Sequence, residues 1–241
     1  MKKRAWLIML AIPAILLLAG CKPRLSTDSY ETTDIFTQSR TFAYDRIENE
    51  ETTEVIYEIM VEGNMVSTKC VIDFDYGRFR SESSFNGGTL VPETALKSNS
   101  YKLDPEKDWV INAVYGENLE MTAQTDAGTE TKTLELPDNY IDNEALLFTI
   151  GALSLEEGFE KDINISIIDA GEIVAFRISR VGTEQIDVSY GSIECIKVEI
   201  KYQGLVIGRK PRMYIWYTND ENRFPLMYEN EGIYLELKSI Q

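Results

Sequence analysis

The sequence predicts a mainly β protein: a curved antiparallel meander sheet with one short helix packed on it. Three observations carry that reading. Apolar and polar residues alternate with period two along most of the chain beyond residue 40. Short glycine-containing turns separate the alternating runs, so consecutive strands should be neighbours. A single segment, 142–153, has helical spacing instead.

The strands follow in order. Val66, Thr68, Cys70, Ile72, Phe74 and Tyr76 fall on one face, with Ser67, Lys69, Asp73 and Asp75 on the other. Ile163, Ile165 and Ile167 alternate with Asp162, Asn164 and Ser166. Ile186, Val188 and Tyr190 form a third set, Ile196, Val198, Ile200 and Tyr202 a fourth, and Ile233, Leu235 and Leu237 a fifth. One apolar and one polar face is the mark of an antiparallel sheet packed on one side. About eleven to thirteen strands are expected between residues 40 and 240. In the helical segment, Leu146, Leu147, Ile150 and Leu153 share a stripe, and Asp142 is the expected N-cap.

The N-terminus reads as an export signal. Lys2, Lys3 and Arg4 precede an apolar run from Ala5 to Ala19, and Leu18-Ala19-Gly20-Cys21 follows. The run is shorter than the roughly 20 residues of a spanning helix and ends in small residues, as a cleavage site requires. The tetrapeptide resembles the lipobox of bacterial lipoproteins. That resemblance implies cleavage before Cys21 and lipidation of its sulfur, with palmitate-type chains, and so an extracytoplasmic protein held on the cell membrane or outer membrane. The expected organisation is a signal peptide over 1–20, a polar tether over 21–39 and one β domain over 40–241. Two or more acyl chains hold a protein stably, at about 0.8 kcal/mol per buried methylene.

Composition removes many activities. The 241 residues include 24 Lys+Arg, 40 Asp+Glu and no histidine. Losing Lys2, Lys3 and Arg4 with the leader takes the formal charge from −16 to −19. Without imidazole there is no Ser-His-Asp or Cys-His triad and no His-ligated zinc or haem. The acidity opposes nucleic-acid binding, so no nucleic-acid partner is expected. No cofactor and no metal are expected either. Asp138, Asn139, Asp142 and Asn143 are oxygen donors, but their spacing does not fit an EF-hand calcium loop. Asp73 and Asp75 share a strand face, as a glycosidase pair would, yet a solvated face explains them. Gly208 to Arg212 is the one basic cluster, read as a hairpin tip. Cys70 and Cys195 are expected to be free thiols because they sit on different kinds of face of distant strands.

Two runs are apolar on both faces: Val55 to Val61 and Met213 to Tyr217. Either the sheet closes on itself as a barrel or sandwich, or its concave face is an apolar groove. In the second case Tyr57, Ile59, Tyr214 and Trp216 are the expected groove lining, beside the 143–153 helix. Trp216 also reads as a plain sheet anchor.

The second half is similar to a known bacterial domain. Asn139-Tyr140-Ile141-Asp142-Asn143-Glu144-Ala145-Leu146-Leu147, then Leu153 to Gly158, resembles the YDN-x-x-LL stretch of domain of unknown function 3108. Tyr190 to Glu199 and Trp216 to Leu226 resemble two further motifs of that family, in the same order. The likeness runs over about Tyr140 to Ile240. It implies an exported half-barrel, similar in fold to lipoprotein-localisation carriers, with a helix in its concavity and no assigned activity. The expected role is a non-catalytic binding or carrier module for an apolar small molecule or an envelope protein. Its competitors are a packed interaction lipoprotein and, behind that, a carboxylate-dependent glycan hydrolase.

Overall fold

The protein is described by a computed structural model covering residues 34–204 and 212–241. The first strands are β1 (Arg40–Glu48), β2 (Glu51–Glu62), β3 (Met65–Phe74), β4 (Gly77–Asn86) and β5 (Pro92–Tyr101). Then come β6 (Trp109–Tyr115), β7 (Asn118–Thr125), β8 (Gly128–Glu135) and the three-residue β9 (Tyr140–Asp142). A 3-10 turn at Asn143–Ala145 leads into α1 (Leu146–Thr149). The remainder is β10 (Glu160–Ile167), β11 (Glu172–Val188), β12 (Gly191–Tyr202), β13 (Arg212–Thr218), β14 (Pro225–Asn230) and β15 (Ile233–Ile240).

All fifteen described strands form one sheet, in the order 8-7-6-5-4-3-2-1-15-14-13-12-11-10-9. It is two meanders joined at their outer ends. The first and last strands pair antiparallel, from Phe42 opposite Ile240 to Glu48 opposite Ile233. The middle of the chain therefore lies at the two edges, β8 and β9. Only four residues, 136–139, connect those edges. The five Cα–Cα steps from Glu135 to Tyr140 span at most about 18 Å, so the sheet has to curl until its edges approach. No ladder closes it: β9 pairs in parallel with β10 alone, through Tyr140, Ile141 and Asp142. The β8 edge is protected by composition, since Gly-Thr-Glu-Thr-Lys-Thr-Leu-Glu is almost wholly exposed and polar.

The strand number exceeds the sequence expectation for a physical reason. β8 has no apolar face and β9 is three residues long, so neither carries an alternation signal.

The helical segment also departs from expectation. It is not one amphipathic helix over 142–153 but a 3-10 turn and a single α turn, and residues 145–153 are all buried. The segment is a plug inside the curl, with sheet around it, so no polar stripe is needed. Phe148 packs against Phe42 and Tyr57 at ring distances of 5.3 and 5.5 Å. Tyr217 Oη donates to Leu147 O at 2.9 Å. Gly151 lies so close to the Tyr217 ring that a Cβ there would sit 2.9 Å from Cε1. Around the plug, Val55, Ile59, Val66, Ile165, Val198 and Ile215 are among the inward residues of the main core. A smaller core of Ala95, Ala113, Tyr115, Leu119, Met121, Leu136 and Ile168 joins the β5–β7 arm to the opposite edge.

The domain also begins earlier than Arg40. Ile35 is fully buried and Phe36 meets Phe85 edge-on at 5.4 Å, because the 34–36 turn covers one end of the core. The leader, Cys21 and most of the tether lie outside the described residues, as does the basic cluster except Arg212, which donates to Glu199.

Candidate functional site

The plug fills only part of the concavity. Near the β3–β4 tip a cleft of about 660 Å³ remains between the inner sheet face and the Asn143–Leu147 segment. Its apolar wall comes from Ile72, Leu146, Leu147, Ile233 and Leu235. Tyr57, Phe74, Phe79, Trp109 and Tyr228 add ring faces. Period-two alternation explains the β-strand part: Cys70, Ile72 and Phe74 are successive inward positions of β3, and Phe79 and Ser81 are those of β4.

The charged groups of the cleft are paired. Lys97 Nζ lies 3.3 Å from Glu144 Oε1 and 2.9 Å from Asp169 Oδ2. Lys97 and Glu144 are mostly buried, with side chains 12% and 5% exposed, whereas Asp169 reaches the rim at 41%. Burial opposes the lysine's charge, but the two carboxylates outweigh it and hold the ammonium above its ordinary pKa. Arg46 pairs with Glu48 at 2.7 Å and lies over the Phe74 ring. Burial pushes the Cys70 thiol up to about 12, so this wall residue is a neutral thiol. Asn99, Asn143, Asn230 and Ser81 supply uncharged polar groups.

A second polar cluster lies behind the cleft. Tyr115 Oη donates to Asp142 Oδ1 at 2.9 Å and lies 2.6 Å from Ser166 Oγ. Asp142 is 1% exposed. Burial first, then the Glu144 charge, pushes its carboxyl up to about 7. It does not cap the helical segment as expected: its side chain makes no cap bond and is turned to Tyr115 instead.

The four residues expected to line a groove are not brought together. Tyr57 lines the cleft. Ile59 is 1% exposed, within the packed core below it. Tyr214 and Trp216 lie on the outer face, since Ile215 and Tyr217 between and beside them point inward. There Lys197 Nζ lies 4.5 Å from the Trp216 ring centre and 5.1 Å from that of Tyr214. Glu184 accepts from Trp216 Nε1, and Glu199 accepts from Tyr214 Oη at 3.0 Å. The apolar outer face of β13 is thus covered by long charged side chains rather than by another layer. Sequence reasoning missed Lys97 and Glu144. Glu144 was visible in the helical segment, but nothing in the chain links it to a lysine 47 positions earlier.

The other candidates have plain structural roles. Asp73 is held by Arg78 through two bonds of 2.6 and 3.0 Å, and that hydrogen bonding lowers its pKa on an exposed face. Asp75 lies in the β3–β4 turn. Cys70 and Cys195 are free buried thiols. Among the described residues no group of three or more Cys, Asp or Glu side chains is arranged to hold a metal ion.

Comparison with known proteins places this fold. No curated protein matches the chain. Among solved structures it is similar to a β-barrel-like protein of domain of unknown function DUF1849 from Brucella abortus. The TM-score is 0.55 at 11% identity, covering 85% of this chain and 97% of that one. At that identity the likeness shows the fold alone. A structure described as "a putative lipoprotein" from Parabacteroides distasonis ATCC 8503 matches at a TM-score of 0.37 and 10% identity, over 88% of this chain and 100% of that one. That score is too low to carry an argument. The model of the protein family of unknown function DUF3108 matches residues 32–232, reaching well upstream of the Tyr140 boundary of the motif likeness, and the chain belongs to that family.

Proposed function

We propose that this protein is an extracytoplasmic, lipid-anchored, non-catalytic module that binds or carries a small molecule with a substantial apolar body in the cleft beside the Asn143–Leu147 segment. The observation that carries the reading is the cleft itself: about 660 Å³ of concave, mixed apolar and polar wall on the inner face of the curl. A fully packed interaction domain would have no such space. The non-catalytic part rests on the state of the groups present. Cys70 is held as a neutral thiol, and Lys97 is held charged between Glu144 and Asp169. Neither is an activated nucleophile, and both carboxylates are engaged by the lysine.

The anchor reading rests on the lipobox-like Leu18-Ala19-Gly20-Cys21 sequence. The described chain enters at the Phe36–Phe85 end of β4, whereas the cleft lies toward the β3–β4 tip. Ten-residue strands separate these ends by about 30 Å. A lipid on Cys21 would then tether the end of the domain away from the cleft.

Two measurements test the reading. An environment-sensitive apolar dye should bind the folded domain saturably, and Ile72→Asp should weaken it at least about tenfold by placing an unpaired charge in the wall. Mass spectrometry of the mature protein should show a co-purifying small molecule. No saturable dye binding by the folded protein would refute the binding role.

A further inference from the structure

The pairing of charges inside the cleft constrains what can enter it. Lys97 is bracketed by Glu144 at 3.3 Å and Asp169 at 2.9 Å, and Arg46 is taken by Glu48 at 2.7 Å. Neither cation is left waiting for an anion. A carboxylate or phosphate headgroup at Lys97 would have to share it with two carboxylates already in contact. A cationic headgroup at Glu144 would meet the ammonium it already binds. A buried charge without a partner is strongly disfavoured. The remaining polar wall is uncharged: Ser81, Asn99, Asn143 and Asn230. Asn99 is tied to Tyr101, with 3.1 Å between its Nδ2 and the phenol oxygen. Amide and hydroxyl side chains both donate and accept, so this wall suits a ligand group that does both. A hydroxyl or amide does, whereas an ionised carboxylate only accepts.

We infer that the ligand of this cleft is an uncharged amphiphile, with an aliphatic or aromatic body against Ile72, Leu146 and Leu147 and a hydroxyl-bearing or amide-bearing polar end at the uncharged polar wall. The inference rests on the binding reading above and narrows it. It separates this protein from a carrier of fatty acids, of anionic lipids or of cationic amphiphiles.

The test uses three probes with the same ten-carbon chain, each below its micelle concentration: monodecanoylglycerol, decanoate and decyltrimethylammonium. Trp109 lines the cleft, so its fluorescence in a Trp216→Phe protein without the leader, and so without Trp6, reports occupancy. Monodecanoylglycerol should bind at least about tenfold more tightly than either ionic probe. Replacing two residues of the polar wall, Asn99→Leu with Asn230→Leu, should reduce that advantage while leaving the dye bound. Releasing a paired charge should erase the neutral probe's advantage over the matching ionic probe. Lys97→Met frees two carboxylates and should bring decyltrimethylammonium up at least about tenfold, and Glu144→Gln combined with Asp169→Asn, which takes both anions from Lys97, should do the same for decanoate. Either variant that retains the parent circular dichroism suffices. Ionic probes binding the parent protein as tightly as the neutral one would overturn the inference and leave the binding reading standing. Binding of none of the probes or the dye would overturn both.

Discussion

Tyr115 on β6 donates its hydroxyl proton to Asp142 on β9, at 2.9 Å, joining two strands that no backbone ladder links. Ser166 on β10 completes the contact at 2.6 Å from the same phenol oxygen. These side-chain bonds tie the β9 edge to the other arm of the sheet. The cluster is buried, with Asp142 1% and Ser166 0% exposed, and burial outweighs the hydrogen bonds that would favour the ionised carboxylate. A carboxylate in such surroundings is favoured in its neutral form.

That placement has a pH signature. The Asp142 carboxyl is pushed up to about 7 in the fold, whereas an unfolded aspartate ionises near 3.9. Stability contributed by the neutral form is fully present below about pH 4 and is lost as pH rises through about 7. The isosteric Asp142→Asn keeps an acceptor for Tyr115 and never ionises. The melting temperature of Asp142→Asn relative to the parent should climb between pH 4 and pH 7 and level off above. A difference that stays flat over that range would show that Asp142 is ionised throughout.

The thiols should be inert. Burial pushes Cys70 up to about 12 and Cys195 up to about 11, the latter also beside Glu184. A thiol reagent at pH 8 should label neither in the folded domain over a time that fully labels the denatured chain. Under denaturing, non-reducing conditions both should titrate as free. Fast labelling of native Cys70 would show that the cleft wall is more exposed, or the thiol more acidic, than its burial implies.

Trp216 and the cleft should separate cleanly in mutagenesis. Trp216 is 3% exposed, under Lys197 on the outer face. Trp216→Ala should destabilise the domain by about 3 kcal/mol, in the range for buried Trp truncation. Dye affinity in the cleft should change less than about twofold, because the residue lies across the sheet from it. Loss of dye binding by a folded Trp216→Ala protein would relocate the site to the outer face.

Gly151 should tolerate no side chain. A Cβ there would meet Tyr217 Cε1 at 2.9 Å and the carbonyl oxygen of Arg223 at 3.1 Å. Tyr217 is fully buried and tied to Leu147 O, so it has little room to move. Gly151→Ala should cost about 1–3 kcal/mol by overpacking, read in chemical denaturation. An unchanged midpoint would mean that the plug can shift away from β13.

The anchor has its own test. Cys21→Ser should abolish incorporation of a fatty-acid probe and leave the precursor uncleaved by the lipoprotein signal peptidase. Acylation that persists in this variant would remove the basis for placing the protein on a membrane.

Much of the fold was legible because period-two alternation is a local property. The apolar rows of β3, β10, β12 and β15 could be read residue by residue, and each points its large side chains inward as alternation requires. The short turns likewise implied neighbouring strands. The sequence was silent where the local signal vanishes. β8 has no apolar face, and β9 is three residues held in parallel beside β10. The 142–153 segment carried a helical stripe, yet stripe and N-cap both gave way to burial on every side and to the Asp142–Tyr115 bond.

The candidate site shows the same division more sharply. Composition alone removed imidazole chemistry, and the two runs apolar on both faces announced that a curved sheet had apolar surface to dispose of. Which of their residues face a ligand was decided by the curl. It sends Tyr57 into the cleft, sinks Ile59 into the core and leaves Tyr214 and Trp216 outside under charged side chains. The Lys97–Glu144–Asp169 grouping joins three elements far apart in the chain. A contact of that kind depends on how far the sheet bends, and the bend is set by the four residues that tie its two edges together, not by any pattern within a strand.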